Sequence, residues 1–198
     1  MPRRIGLFGG SFDPVHNAHL ALARQALAEL ALGEVRWIPA GRPWQKARTP
    51  TAAVHREAML RLAIAHEPRF VLERCELERA GPSYTIDTVC ALQAAQPHAR
   101  WFLLIGQDQY AGLHTWHRVD ELLQRVQLAV ALRPGAAAPD DARVRAAPGL
   151  RITLAPMPVS ASAIRARVAA GQDIAALVPP AVADYIERNR LYQGEPGS

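Results

Sequence analysis

One stretch constrains this chain more than any other: Gly9-Gly10-Ser11-Phe12-Asp13-Pro14-Val15-His16-Asn17-Ala18-His19-Leu20. The apolar run Ile5-Gly6-Leu7-Phe8 before it has the length of a buried parallel strand. After it, Leu20, Ala23, Leu27 and Leu30 recur at helical spacing, with Arg24 and Glu29 on other faces. The order is strand, Gly-rich turn, helix. Two glycines let backbone approach a ligand closely, and Pro14 stiffens the loop while removing one amide. If the helix begins near Asn17, a good N-cap, His16 and His19 face the same way. Two imidazoles, free amides and the positive end of a helix dipole then converge, which describes a phosphate site. A His pair is also compatible with a plain structural role, or, with Asp13, with a zinc or iron site. The spacing of Gly6, Gly9 and Gly10 fits neither the Walker A pattern nor the dinucleotide-binding glycine motif.

The chain continues in alternation. Val35–Pro39 reads as a second strand, followed by a loop over 41–50 that carries Arg42, Lys46 and Arg48. Thr51 is a candidate cap for a helix to about His66, with Val54, Ala58, Leu62 and Ala65 inward. Arg69–Glu73 is a third strand, giving β-α-β-α-β, half of a doubly wound sheet. Turn chemistry over 78–83 precedes a helix from about Tyr84 to Gln96, with Ser83 a candidate cap. Trp101–Ile105 is continuous and apolar, hence central, and ends at Gly106 with Asp108 beyond. If strand order reverses between the first and fourth strands, Gly9-Gly10 and Gly106–Asp108 flank one crevice, where open α/β sheets bind ligands. Further elements are a short helix over 120–126, a strand over 128–132 ended by Arg133, and a short strand over 152–154. Residues 136–148 read as a mobile surface loop. Ser160-Ala161-Ser162 precedes a helix over 163–170 closed by Gly171. Helical pieces at 173–177 and 180–189 follow, then a loose polar tail from Leu191.

Composition narrows the function classes. The 198 residues suit one domain with a substantial core, and 49% hydrophobic with 21% charged residues is ordinary for a soluble protein. No apolar run reaches the ~18 residues of a membrane span. The start, Met-Pro-Arg-Arg, leads at once into a strand, so no signal peptide is expected. Cys75 and Cys90 form no Cys-x-x-Cys pair, which argues against disulfide scaffolds and zinc ribbons and for a reducing cytoplasm. The net charge of +5 comes from dispersed arginines, so a phosphate-rich small molecule explains it without nucleic acid or a membrane surface.

Gly9 to His19 resembles the signature of the nucleotidyltransferase superfamily. The longer pattern is similar to the bacterial nicotinate-nucleotide adenylyltransferase family. That pattern runs in order through Ile38-Pro39, Pro43-Trp44-Gln45-Lys46, Gly81–Thr85, Ile105–Asp108, Thr115-Trp116 and Val159–Arg165. Ala18 stands where the family commonly has Gly, and Gln45 where it commonly has His. The resemblance implies a Rossmann-like, doubly wound parallel sheet with a small helical C-terminal portion. Residues 1–198 would form a single nucleotidyltransferase domain, with about 151–192 carrying the Ser-x-Ser-x-x-Arg motif. It implies transfer of the adenylyl group of ATP to nicotinate mononucleotide in NAD biosynthesis, with Mg2+ accompanying ATP. No resident protein metal site is expected.

Within that reading the candidate catalytic residues are His16, His19 and Arg165. The candidate ATP and phosphate contacts are Gly9, Gly10, Ser11, Phe12, His16, His19, Lys46, Gly106, Asp108, Arg133, Ser160, Ser162 and Arg165. Thr85, Asp108, Trp116 and His117 are the candidates for nicotinate mononucleotide. Amides at a helix start near Tyr84-Thr85 suit a carboxylate, and the resemblance implies that Trp116 stacks on the pyridine. Ser160 is equally an N-cap, and core packing is the alternative for Trp116. A nicotinamide-mononucleotide or pantetheine-phosphate adenylyltransferase, and a non-catalytic nucleotide-binding module, remain open on sequence. Oligomeric state is not readable.

Overall fold

The computed structural model describes residues 2–42, 49–132 and 139–194. Lys46 and Arg133 therefore lie outside the described residues, as does most of the basic loop over 41–50. In chain order the elements are β1 (Arg4–Gly10), α1 (Asn17–Glu29), β2 (Glu34–Pro39), α2 (Ala53–Ile64), β3 (Phe70–Leu72), α3 (Cys75–Glu78), α4 (Thr85–Ala95) and β4 (Arg100–Gly106). Then come α5 (Gln107–Ala111), a 3-10 turn (Leu113–Thr115), α6 (Val119–Arg125), β5 (Gln127–Leu132), α7 (Ala142–Ala146), β6 (Gly149–Thr153), α8 (Ala161–Ala169) and α9 (Pro180–Arg188).

The strands form a six-stranded sheet in the order β3-β2-β1-β4-β5-β6, every pair parallel. This is the doubly wound, Rossmann-like arrangement, and its order reverses between β1 and β4 as expected. Period-two alternation divides the core. Phe8, Phe102, Leu104, Ala129 and Ile152 point to the face covered by α1, α2, α8 and α9. Ile5, Leu7, Trp101, Leu103, Ile105 and Leu128 point to the face covered by α4, α6 and α7. Strands buried on both faces need apolar residues at every position, which is why β4 reads as an uninterrupted run. Because each crossover helix runs antiparallel to the strands, the N-termini of α1 and α4 gather at the carboxyl edge of the sheet. No helix among the described residues is long and apolar enough to cross a membrane.

Several elements differ from the sequence-based expectations. The inward stripe of α2 is Arg56, Met59, Leu60, Ala63 and Ile64, and Val54 is 67% exposed. The stripe follows i, i+3, i+4, i+7, i+8 faithfully, but it opens on an arginine, so the neighbouring apolar positions look more convincing. Within the stretch expected to be a mobile loop, Asp141 caps α7 by accepting from the Arg143 and Val144 amides, and Val144 is buried in the core. Residues 175–177 form a turn rather than a helix. The tail is not loose where it is described: Leu191 is buried with the first core and Tyr192 is hydrogen-bonded inside the molecule. The C-terminal elements from β6 onward share that same core, through Ile152, Ile164, Ile174, Val178, Val182, Ile186 and Leu191.

Candidate active site

The stretch from Gly9 to His19 lies at the point where strand order reverses. Gly9 and Gly10 end β1, and Ala40, just past β2, donates to the Gly10 carbonyl at 2.9 Å. A Cβ at Gly9 would enter open space, whereas at Gly10 it would come within 3.1 Å of the Phe12 ring. Phe12 takes a left-handed φ of 46°, rare for a bulky residue, and the Asp13–Pro14 peptide is cis. The Phe12 ring is buried, edge-on to His19 at 5.2 Å and beside Trp37 at 5.4 Å. Any ligand contact by Phe12 therefore runs through its backbone.

His16, not Asn17, is the N-cap of α1. Asn17 is instead the first helical residue, and its side chain and amide both reach into the C-terminal part, to the Ala176 carbonyl at 3.0 Å and the Leu177 carbonyl at 3.0 Å. The His16 and His19 rings stack with centroids 3.6 Å apart and planes 22° apart. The His16 amide donates to His19 Nδ1 at 3.2 Å, so in neutral His19 the proton sits on Nε2, aimed away from the backbone. His16 Nδ1 is buried with no hydrogen-bond partner. Burial pushes His16 down to about 4 and holds His19 well below the usual histidine range, the neighbouring His16 adding to the effect. Two of the amides expected to be free at this helix start are thus already used. What the start of α1 offers is a pair of neutral imidazoles, one with a buried polar atom still unpaired.

Around them stands a network the sequence did not reveal. Asp13 is 3% exposed and accepts from the Tyr192 hydroxyl at 2.8 Å and from the Thr51 amide at 3.2 Å. Arg56, 2% exposed, donates from Nε to the Thr51 carbonyl at 2.8 Å and from a terminal nitrogen to the Ser11 carbonyl at 2.9 Å. Arg165 reaches from α8 to the Asp13 carbonyl at 2.7 Å. Both carboxylate oxygens of Asp13 are engaged in holding the shape of the loop. Among the described residues no group of three or more His, Cys, Asp or Glu side chains is placed to hold a metal. The sequence signal for Arg56 was its place in the α2 stripe; Tyr192 gave none, because its partner is 179 positions away.

Ser160 caps α8, accepting from the Ala163 amide at 3.2 Å, and its hydroxyl lies 3.1 Å from that of Ser162. The capping alternative is thus realised, with both serines exposed. Gly106 closes β4 as the cap of α5, and Asp108 is exposed in the first turn of that short helix.

Thr85 is the first residue of α4, capped by Tyr84 rather than by Ser83. The Ser83 hydroxyl turns the other way and accepts from the Gly41 and Arg42 amides at 3.0 and 3.2 Å, while the Ser83 amide donates to the Arg42 carbonyl at 3.1 Å. Gly41 is needed there, since a Cβ would lie 2.1 Å from the Glu76 carbonyl oxygen. Exposed His117 stacks on Tyr84 at 4.3 Å, and half-buried Trp116 packs against the second core. The structure therefore joins Arg165 to the Gly9–His19 loop, and stacks His117 on Tyr84, the residue before Thr85. The bonds from Gly10 to Ala40 and from Gly41 and Arg42 to Ser83 form a backbone path between them.

The sheet reverses order beside the paired histidines and the glycine pair, and the cytidylyltransferase-like family model matches residues 7–167. A relative from Methylibium petroleiphilum, named as a probable nicotinate-nucleotide adenylyltransferase, is 53% identical over 96% of this chain and 92% of its own length. One of the same name from Bordetella petrii is 50% identical over 96% of this chain and all of its own length, 100%. The fold is shared with Plasmodium falciparum nicotinic acid mononucleotide adenylyltransferase complexed with NaAD, at a TM-score of 0.82 and 19% identity over 96% of this chain and 97% of that one. The chain belongs to the cytidylyltransferase-like family and, within it, to the nicotinate-nucleotide adenylyltransferases.

Proposed function

We propose that this enzyme transfers the adenylyl group of ATP to nicotinate mononucleotide, as the names of its relatives suggest. A phosphate oxygen of the mononucleotide attacks the α-phosphorus of ATP. A new P–O–P linkage forms, the bond from the α-phosphorus to the bridging oxygen breaks, and pyrophosphate leaves with the electron pair. Nicotinate adenine dinucleotide is the product. The nucleophile is already ionised near pH 7, so the chain needs no Ser or Cys nucleophile, and alignment with charge neutralisation remains.

The observation that carries this reading is the stacked His16–His19 pair, held neutral at the switch point, with Arg165 of α8 bonded to the same loop. Neutral imidazoles donate N–H groups without repelling each other, and a hydrogen bond to a charged phosphate oxygen is charge-assisted. His19 Nε2 and the unpaired His16 nitrogen are the donors for the α-phosphate and the departing pyrophosphate. Arg165 supplies the permanent charge, and Gly9 and Gly10 the close backbone approach. Ser160, Ser162, Gly106 and Asp108 border the nucleotide, with Lys46 and Arg133 adding cations. Thr85, Trp116 and His117 receive the nicotinate end. Nucleotidyltransferases of this kind generally use a divalent metal with ATP; we take it to be magnesium, entering with the substrate on its phosphates. The 1–198 unit works as one domain, its 151–192 part bringing Arg165 to the loop, in a cytoplasmic setting with small molecules as its substrates.

Pyrophosphate release with ATP and, in turn, nicotinate mononucleotide, nicotinamide mononucleotide and phosphopantetheine tests the reading. Turnover highest with the first is expected. Release with none of the three overturns adenylyl transfer, and a preference for either of the others reassigns the substrate.

A further inference from the structure

The last described turn of the chain makes a contact that packing alone does not require. After α9 the backbone enters the left-handed region twice, at Arg190 with φ 52° and at Tyr192 with φ 61°. Bulky side chains seldom adopt this conformation, and it persists where the surroundings over-determine it. Here it turns Leu191 into the core and brings the Tyr192 hydroxyl to Asp13 at 2.8 Å, with Met59 Sδ beside it at 4.0 Å.

Asp13 is the middle of the loop that presents the imidazoles, two residues after Ser11 and three before His16. Each of its polar parts meets a different element. Its carboxylate meets the C-terminal Tyr192 and the Thr51 amide, and its carbonyl meets Arg165 of α8. Arg56 of α2 closes the ring by holding the carbonyls of Ser11 and Thr51. Burial disfavours the Arg56 charge, and the nearby Asp13 carboxylate offsets part of that cost. The loop is thereby gripped from three sides, and the grip ends one turn from the stacked histidines.

We propose that Tyr192 is a positioning residue for the adenylyl-transfer step: through the Asp13 carboxylate it fixes the loop that aims His16 and His19, so the chain's C-terminal turn sets turnover. This rests on the function proposed above. Tyr192 touches no reacting atom in this scheme. It acts by holding the distance between the imidazole donors and the Arg165 guanidinium, a distance on which rate depends steeply.

The test is Tyr192→Phe, which removes one oxygen and keeps the ring. The expected kcat for pyrophosphate release falls about tenfold, inside the hundredfold that a misplacement of ~1 Å can cost. The melting temperature should drop only about 2–4 °C, the shift one hydrogen bond is worth in a chain of this size. KM for the mononucleotide should stay within about twofold, as expected when only transition-state alignment is lost. In ligand-free, 15N-labelled protein the imidazole nitrogens of His16 and His19 should shift, while those of His98, at the opposite edge of the sheet, should not. An unchanged kcat, or unmoved His16 and His19 resonances, overturns the proposal. A second pair guards against a variant that does not fold. An amide can still pair with the phenol and a methyl cannot, so Asp13→Asn should keep a higher kcat than Asp13→Ala; equal values overturn the proposal. If wild-type protein releases no pyrophosphate with any mononucleotide, the function reading fails, and the ligand-free imidazole spectra still decide the coupling.

Discussion

The two groups of candidate residues are built differently. At the β1–α1 end the loop is buried and tied by Asp13, Arg56, Arg165 and Tyr192, so its histidines have little freedom. At the α4 end, Thr85 is half-buried, His117 is exposed and rests on Tyr84, and Trp116 lies half-covered on the core. Where phosphate chemistry is proposed the protein supplies fixed donors, since preorganised dipoles need no reorganisation as charge develops. Where a ring and a carboxylate are to be recognised, it supplies a helix start and stacked rings that are less deeply buried. Rate should accordingly depend on the first end and substrate choice on the second.

The largest effect expected is on choice. A carboxylate can accept hydrogen bonds at the positive dipole end where α4 begins, whereas the neutral amide of nicotinamide would bring NH2 donors to that same end. Sites built on such hydrogen bonds discriminate steeply, so kcat/KM for nicotinate mononucleotide should exceed that for nicotinamide mononucleotide by about a thousandfold or more. A ratio near unity would refute the role of the α4 end while leaving adenylyl transfer intact.

Next is rate. His19→Ala removes the Nε2 donor fixed by the His16 amide, and kcat should fall about a hundredfold or more, the usual cost of losing a charge-stabilising donor. The circular-dichroism spectrum should be unchanged. Near-normal kcat would show that the rigid end binds without contributing to the chemistry.

Burial of the pair also has a pH signature. An unfolded His16 titrates near 6.5, and in the folded chain burial pushes it to about 4. Between those values the unfolded state takes up a proton that the folded state refuses. The stability tied to neutral His16 is therefore complete above about pH 6.5 and is lost as pH falls toward 4, in total of the order of 3 kcal/mol. His19 acts in the same direction. Melting curves across that window should fall more steeply for the wild type than for His16→Asn. Parallel curves would mean that the rings are charged in the fold and that their donors are not the neutral ones described.

How far the sequence could show this follows from how local each cause is. The strand-turn-helix order, the switch point and the paired histidines depend on residues within 12 positions, Gly9 to Leu20, or on apolar runs, and all were legible. The buried face of α2 was not, because Arg56 looks like a surface residue until its acceptors, the Ser11 and Thr51 carbonyls, are known. Asn17 had the chemistry of a cap, yet tertiary partners at Ala176 and Leu177 claimed it and left capping to His16. Ser83 was likewise drawn to Gly41 and Arg42. These three misses are polar side chains with at least one partner distant in sequence, which periodicity and capping rules do not address.

The smallest effect concerns Trp116, and it separates the open end from the core. The indole packs against the second core cluster, so truncation must cost some stability whatever its function. If it also stacks on the pyridine, Trp116→Ala should raise KM for the mononucleotide about tenfold, within the ~1–3 kcal/mol that an aromatic–base stack contributes. KM for ATP should stay within about twofold, because the loss is confined to one substrate. Trp116→Phe, which keeps a flat ring and most of the packing, should recover much of the affinity. Equal increases in both KM values would mean that the indole supports the crevice as a whole, and an unchanged mononucleotide KM would make it a core residue only. His117→Ala supplies the contrast on the same end of the crevice. Its ring is exposed on Tyr84, so a KM change there without any fall in melting temperature would place recognition on the surface stack rather than on the indole.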